Sequence, residues 1–85
     1  MAKVEIYLTS TCPYCVRAMR LLDMKKVAAE RIDVGQEPSK RAEMVQRAGG
    51  RTTVPQIFIG GKHVGGCDDL MDLEYDGKLD GLLAA

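Results

Sequence analysis

The chain has 85 residues, and its twelve basic and twelve acidic side chains give a formal net charge of zero. This length predicts one small domain, residues 1–85, and the balanced charge argues against nucleic acid or an anionic membrane as a partner. No apolar run reaches membrane-spanning length, and the charged start Met1–Glu5 does not resemble a secretion signal. We therefore expect a cytoplasmic protein. In that compartment three cysteines, an odd number, fit catalysis or metal binding better than a disulfide framework.

The first third of the chain predicts a strand followed by a helix. Val4–Leu8 is rich in β-branched and aromatic residues, which favours a strand. Thr9–Thr11 is a polar turn that offers N-cap side chains. From Pro13 the apolar residues recur at helical spacing, and the basic residues Lys25 and Lys26 suit the end of that helix. The apolar positions of the predicted helix are Val16, Met19, Leu21 and Leu22.

The rest of the chain alternates strands, helices and glycine turns. A second strand is predicted at 27–34, ended by Gly35, and a second helix from 37 to the Gly49-Gly50 pair, with Ala42, Val45 and Ala48 on its apolar face. Gln56–Ile59 and Lys62–Val64 then form a hairpin across Gly60-Gly61. Gly65-Gly66 ends this hairpin, Cys67 opens a third helix with Leu70 and Leu73 facing inward, and Leu79, Leu82 and Leu83 form a final turn or helix.

This order of elements predicts an α/β fold. A βαβ unit, with a right-handed crossover, is followed by a ββα unit. Four strands in one mixed sheet flanked by helices make the thioredoxin-like architecture.

One motif, Cys12-Pro13-Tyr14-Cys15, carries the chemistry. Two cysteines three residues apart lie one helical turn apart, within reach of a disulfide. The unpaired N–H groups and the dipole at a helix start favour a negative charge, so Cys12 is expected to form a thiolate readily. Pro13 suits the first turn of a helix because its missing N–H has no partner there. We therefore predict a redox dithiol with Cys12 as the nucleophile and Cys15 as the resolving thiol.

Three motifs in fixed order resemble the glutaredoxins, in particular the bacterial class I dithiol type: Cys12-Pro13-Tyr14-Cys15, Thr53-Val54-Pro55 and Gly65–Asp69. The resemblance spans essentially the whole chain. It implies a glutathione-dependent thiol–disulfide oxidoreductase that reduces protein disulfides and glutathione mixed disulfides and contributes to cell redox homeostasis. It also implies a redox-active Cys12–Cys15 disulfide, glutathione as co-substrate, no metal, and a monomer. Its partners would be disulfide-containing or glutathionylated client proteins, of which ribonucleotide reductase is typical of the family.

The resemblance also implies a glutathione-binding groove. In the family, Thr-Val-Pro carries a cis proline that faces the cysteines, and the Val54 backbone would pair with the substrate like an added strand. The helix start at Gly66 would bind the γ-glutamyl carboxylate and Asp68 the ammonium group. From the residues alone, Pro55 could equally be a stop before an edge strand. The implied binding residues are Tyr14, Arg41, Thr53, Val54, Pro55, Gly66, Cys67 and Asp68.

Arg41 matches the family position that binds the glycyl carboxylate, although alone it reads as a solvated helix charge. Thr9 departs from the pattern, because many glutaredoxins carry a lysine there that contributes to thiolate stabilisation and carboxylate binding. Arg17, one turn into the same helix, could compensate in part. Cys67 reads either as a small apolar residue at a helix start or as a regulatory thiol.

Three alternatives stay open on the sequence. Cys12, Cys15, His63 and Cys67 add up to four possible zinc ligands, although an amphipathic helix follows the first pair directly. A glutathione-ligated iron–sulfur dimer is disfavoured by Pro13, where cluster-binding members more often have glycine. Thioredoxin itself usually carries a tryptophan before its motif, and this chain has none.

Overall fold

Four strands and four helices make up residues 2–85, the part of the chain that the computed structural model describes. The strands lie side by side in the order β2-β1-β3-β4, with β1 and β2 parallel and the other two pairs antiparallel. This arrangement confirms the predicted thioredoxin-like α/β fold. The elements are β1 (Val4–Leu8), α1 (Pro13–Met24), β2 (Glu30–Asp33), α2 (Pro38–Arg47), β3 (Gln56–Ile59), β4 (Lys62–Gly65), α3 (Cys67–Tyr75) and α4 (Leu79–Ala84).

Each face of the sheet carries its own hydrophobic cluster. Alternation along a strand sends successive side chains to opposite faces, so Ile57 joins one cluster and Phe58 the other. The larger cluster packs the sheet against α1, α3 and α4, and the smaller one packs it against α2. Within residues 2–85, no helix is long and apolar enough to cross a membrane.

The second strand is shorter than predicted. The sequence indicates a strand over 27–34, whereas β2 covers Glu30–Asp33 only. Lys26 adopts a left-handed backbone with φ of 58°, and the Val27 N–H donates to the Leu22 carbonyl at 3.2 Å. The residues after α1 therefore complete the end of that helix instead of pairing with β1. At the other end, the Asp33 carboxylate accepts the N–H groups of the next turn, which directs the chain away from the sheet.

The predicted apolar faces of two helices are partly wrong. Val16 is 50 % exposed, whereas Leu21 and Leu22 are buried as predicted, together with the unpredicted Cys15 and Ala18. In α2 the predicted Ala42 is exposed, whereas Met44 is fully buried. The buried faces thus include small or sulfur-containing residues, Cys15 and Ala18 in α1 and Met44 in α2. Large apolar side chains alone therefore locate only part of each face.

Candidate active site

Cys12 lies at the N-cap of α1 and caps the helix with its own sulfur. Its backbone is extended, and its Sγ accepts the Cys15 N–H at 3.3 Å. The Cys12 carbonyl meanwhile accepts the Val16 N–H at 3.1 Å, the first bond of the helix. The sequence had offered Thr9–Thr11 as capping side chains, and the structure gives that role to the sulfur. The dipole of α1 therefore points its positive end at Cys12.

Cys15 has the opposite surroundings. Only 2 % of its surface is exposed, whereas Cys12 is partly open to solvent. Burial deprives a thiolate of hydration and raises the pKa of Cys15 to about 12. At neutral pH Cys15 is therefore a protonated thiol that a substrate cannot reach. The two thiols of one motif are thus inequivalent, with Cys12 the one placed to react first.

The Thr53-Val54-Pro55 loop lies directly beside Cys12. The Val54–Pro55 peptide bond is cis, as the resemblance implied. The Cys12 thiol points at the Val54 carbonyl, with a distance of 3.8 Å between sulfur and oxygen. Pro55 is buried and also immediately precedes β3, so it fits both interpretations drawn from the sequence. The loop and the cysteine motif therefore share one surface.

A groove of about 270 Å³ opens beside this loop. It runs from Tyr14, which is 55 % exposed, past the loop to the start of α3. Every residue that the sequence predicted for the groove lines it except Arg41, and two unpredicted residues, Arg51 and Asp69, line it as well. The full lining is Tyr14, Arg51, Thr53, Val54, Pro55, Gly66, Cys67, Asp68 and Asp69.

Arg41 lies next to this groove and does not form part of its lining. Its Nη1 atom donates to the Thr52 carbonyl at 2.9 Å, which ties α2 to the segment that leads into the loop. The side chain therefore holds the backbone behind Thr53. Its contact with a glycyl carboxylate stays a prediction.

Arg51 and Asp69 form an ion pair that organises the start of α3. One Asp69 carboxylate oxygen accepts the Gly66 N–H at 2.8 Å and the Arg51 guanidinium at 3.0 Å. These two bonds, the Gly66 N–H first, lower the pKa of Asp69. Any side chain at Gly65, whose φ is 123°, would overlap both partners. The acid at the third helical position is a capping-box feature of the sequence that would have identified this contact.

This contact corrects one detail of the prediction for the helix start. The sequence assigned the N–H groups of Gly66–Asp69 to a ligand, and the Gly66 N–H is already paired within the protein. Asp68, in contrast, is exposed at the groove and available to a cation. Cys67 is 4 % exposed, and burial raises its pKa, which fits the small apolar residue better than the regulatory thiol.

Thr9 and Arg17 contact different parts of the site. The Thr9 carbonyl accepts the Cys12 N–H at 3.5 Å, and Thr9 and Cys15 both line a separate depression of about 510 Å³. The Arg17 guanidinium lies 5.8 Å from the centre of the Tyr14 ring. Arg17 therefore brings a positive charge to the groove side, where Thr9 brings none.

His63 does not join the cysteines. Its Nε2 atom lies 2.6 Å from the Gln56 amide oxygen. Among residues 2–85, no three His, Cys, Asp or Glu side chains come close enough together to hold a metal ion. The four zinc ligands that the sequence left open are therefore not assembled in this fold.

Comparison with known proteins gives concordant matches. The glutaredoxin family model matches residues 4–64. Glutaredoxin 3 of Escherichia coli K12 is 54 % identical over 83 residues, which cover 98 % of this chain and 99 % of that protein. The solution structure of a glutaredoxin from Brucella melitensis is 55 % identical with a TM-score of 0.84, covering 98 % of this chain and 89 % of the other.

A crystal structure of a buckwheat glutaredoxin–glutathione complex superimposes with a TM-score of 0.89 at 36 % identity. The match covers 98 % of this chain and 77 % of that one. Matches at this identity and coverage extend across the cysteine motif, the proline loop and the start of α3 together.

Proposed function

We propose that this chain, which belongs to the glutaredoxin family, acts through Cys12 as the attacking thiol and Cys15 as the resolving thiol. Glutaredoxins are glutathione-dependent thiol–disulfide oxidoreductases, and this chain is one of them. The observation that carries the assignment of roles is the contrast between the two thiols. Cys12 is accessible at a helix start, whereas Cys15 is buried with a pKa raised to about 12.

With a glutathionylated protein, one thiol is sufficient. The Cys12 thiolate attacks the glutathione sulfur, and the client thiolate leaves and takes up a proton. Cys12 is then joined to glutathione. A second glutathione thiolate attacks the glutathione sulfur of that mixed disulfide, which releases Cys12 and oxidised glutathione. Overall, one free glutathione is consumed for each client, and the oxidised glutathione pairs it with the glutathionyl group that the client carried.

With a protein disulfide, both thiols are needed. Cys12 attacks one client sulfur and forms a mixed disulfide with the client. Cys15 loses its proton and attacks the Cys12 sulfur, which frees the client dithiol and leaves the Cys12–Cys15 disulfide. Two glutathione molecules then reduce that disulfide. The hydrogen bond from the Cys15 N–H to the Cys12 sulfur keeps the two residues within one helical turn for this step.

The groove supplies complementary partners for glutathione. The Val54 backbone would pair with the cysteinyl part of the peptide, next to the Cys12 sulfur. Asp68 would hold the ammonium group, and the start of α3 the adjacent carboxylate. Arg51 lines the same groove and adds a cation that the sequence had not suggested. Arg41, which lies behind the loop, would reach a glycyl carboxylate from the outside.

The wider biological setting follows from the family. We expect client proteins with disulfides or glutathionylated cysteines, ribonucleotide reductase being the family-typical example, a monomer, and a cytoplasmic location. The zero net charge gives no reason to add nucleic acid to these partners.

The roles of the thiols are tested with a glutathionylated peptide and with a protein disulfide, each coupled to glutathione and glutathione reductase. Cys12→Ser should lower both activities by at least roughly 100-fold, because a serine hydroxyl is a far weaker nucleophile at neutral pH. Cys15→Ser should keep the first activity within about threefold and lose most of the second, since only the second route needs a resolving thiol.

Ser39→Ala is the control, since it changes an exposed residue of α2 that does not line the groove, and it should leave both activities unchanged. Retained activity of Cys12→Ser would overturn the assignment of the nucleophile. Equal loss of both activities in Cys15→Ser would remove the distinction between the two routes.

A further inference from the structure

Within residues 2–85, Gln56 is the one fully buried side chain that carries an amide or a charge. It is the first residue of β3 and directly follows the cis proline. Its amide nitrogen donates to the Thr53 carbonyl at 2.9 Å and lies 3.4 Å from the Thr53 hydroxyl. Its amide oxygen lies 2.6 Å from Nε2 of His63 on β4. The side chain therefore bridges the proline loop and the edge strand of the sheet.

The chemistry of these contacts fixes the direction of each bond. A backbone carbonyl only accepts, so the NH₂ of Gln56 must face Thr53 and its oxygen must face His63. The His63 ring must then present an N–H at Nε2. The pKa of His63 is lowered, chiefly by burial, so the ring is neutral at pH 7. Its single ring proton then lies on Nε2, where it faces the Gln56 oxygen. His63 thus orients the amide, and the amide orients Thr53.

Thr53 immediately precedes Val54, whose backbone is proposed above to bind the substrate. Its neighbour Val54 points a carbonyl at Cys12, with 3.8 Å between oxygen and sulfur. A loop peptide that can rotate would present that carbonyl and its N–H in several directions. A buried amide that lost its partner would be costly, so the Gln56 bond favours one orientation of the loop.

We propose that Gln56 is a positioning residue for the glutathione-bearing substrate. Gln56 holds the Thr53-Val54 backbone open to the groove, and His63 fixes the direction of the Gln56 amide. This inference rests on the proposed function, because it assumes that the Val54 backbone binds the glutathionyl group. Gln56 itself contacts neither the substrate nor the reacting sulfur atoms.

The experiment compares two reactions of the same variant. Gln56→Leu should lower kcat/KM for a glutathionylated peptide roughly fivefold, the size of effect that loss of one buried hydrogen bond produces. The rate at which cystamine, a small disulfide without a peptide backbone, oxidises Cys12 should change less than about twofold. The amide resonances of Thr53 and Val54 should shift or broaden in NMR spectra of the reduced protein.

Two further variants make the result decisive. Ile59→Val shortens a core residue on the same strand and opposite sheet face, so it should lower stability and leave both rates unchanged. His63→Phe keeps an exposed aromatic ring and removes the orienting N–H. It should lower the peptide rate about twofold, and it serves alone if Gln56→Leu does not fold.

The outcomes separate two failures. An inactive wild-type protein would refute the proposed function and not this inference in particular. An active wild type in which Gln56→Leu and His63→Phe leave the peptide rate intact would overturn the positioning role. A parallel fall in the peptide and cystamine rates would also overturn it, because the effect would then lie on Cys12 itself.

Discussion

Cys12, Cys15 and Cys67 are three thiols near one groove, and burial separates them. Cys12 is partly exposed, whereas Cys15 and Cys67 are 2 % and 4 % exposed. Both buried thiols have a pKa above the ordinary value, with desolvation as the largest cause. A helix start alone therefore does not activate a cysteine. Cys67 occupies the first position of α3, but the surrounding core excludes the water that its thiolate would need.

A prediction follows for Cys67. In a Cys12→Ser, Cys15→Ser double variant, iodoacetamide should alkylate Cys67 at least about tenfold more slowly than a free thiol, since only an accessible thiolate reacts. Mass spectrometry over time measures this rate at pH 8. The same variant in urea is the control and should react at the rate of an unprotected cysteine. Alkylation of the folded variant as fast as in urea would restore the regulatory interpretation of Cys67.

The sequence predicted the functional residues that belong to a motif. It missed those whose contacts join segments far apart in the chain. The spacing of Cys12 and Cys15, together with the resemblance, predicted the dithiol and the proline loop. Arg51 looked like an ordinary loop charge, and it gains a role only because the fold brings it to Asp69. Gln56 likewise reads as one polar residue in a strand, and its bond to His63 needs the hairpin register to become visible.

At the scale of elements, the start of α3 is built from a glycine and a charged cap. Gly66 has no side chain to cap the helix, so Asp69 closes the first turn from inside by accepting the Gly66 N–H. The Arg51 guanidinium donates to the same carboxylate oxygen at 3.0 Å. One wall of the groove therefore depends on the ionised form of Asp69.

The ionised Asp69 gives a pH-dependent prediction. Its pKa in the folded protein is lowered from 3.8, so its contribution to stability is present above that value and lost as the pH falls through the lower folded value. Asp69→Asn should therefore be less stable than the wild type at pH 7, and the difference should shrink below about pH 4. Thermal unfolding between pH 2.5 and pH 7 measures this.

Asp72→Asn, an exposed acid one turn along the same helix, is the control for Asp69→Asn. It should follow the wild-type curve at all pH values. A difference between wild type and Asp69→Asn that stays constant down to pH 2.5 would contradict the role of the charge.

The boundaries of elements were predictable where glycine or proline sets them. Gly60-Gly61 marks the hairpin and Pro38 the start of α2, and the structure confirms both. The predicted start of β2 was wrong because the residues that follow α1 make hydrogen bonds to the end of that helix. A strand-like composition does not reveal this competition. The prediction of the buried face of α2 was wrong in part, because Met44 is fully buried and Ala42 is exposed.

At the scale of the molecule, the face covered by α2 combines a small apolar cluster with a polar network. Arg47 donates to both oxygens of Glu5 at 3.0 and 3.1 Å and to the Tyr7 hydroxyl at 2.8 Å. Its guanidinium also lies 4.0 Å from the centre of the Phe58 ring. One side chain of α2 thus contacts two strands of the sheet. The Tyr7 hydroxyl in turn donates to Glu43 at 2.5 Å, so both Glu43 and Arg47 tie α2 to β1.

This network predicts which surface-facing charge matters for global stability. Arg47→Met should lower the free energy of unfolding by roughly 2–4 kcal/mol, because it leaves the mostly buried Glu5 without its partner. Lys40→Met, which removes an exposed ion pair with Glu43 on the same helix, should cost less than about 0.5 kcal/mol. Urea unfolding at pH 7 measures both, and equal costs would refute the special role of Arg47.

The pH dependence of the same pair provides the second half of this test. The bond to Arg47, the largest cause, lowers the pKa of Glu5 below its usual 4.5. The stabilisation from this pair is therefore present above that value and lost as the pH falls through the lower folded pKa. The cost of Arg47→Met should accordingly diminish below about pH 4, where protonation removes the charge that Arg47 neutralises. A cost that is unchanged at pH 3 would mean that Arg47 acts through packing on Phe58 and not through Glu5.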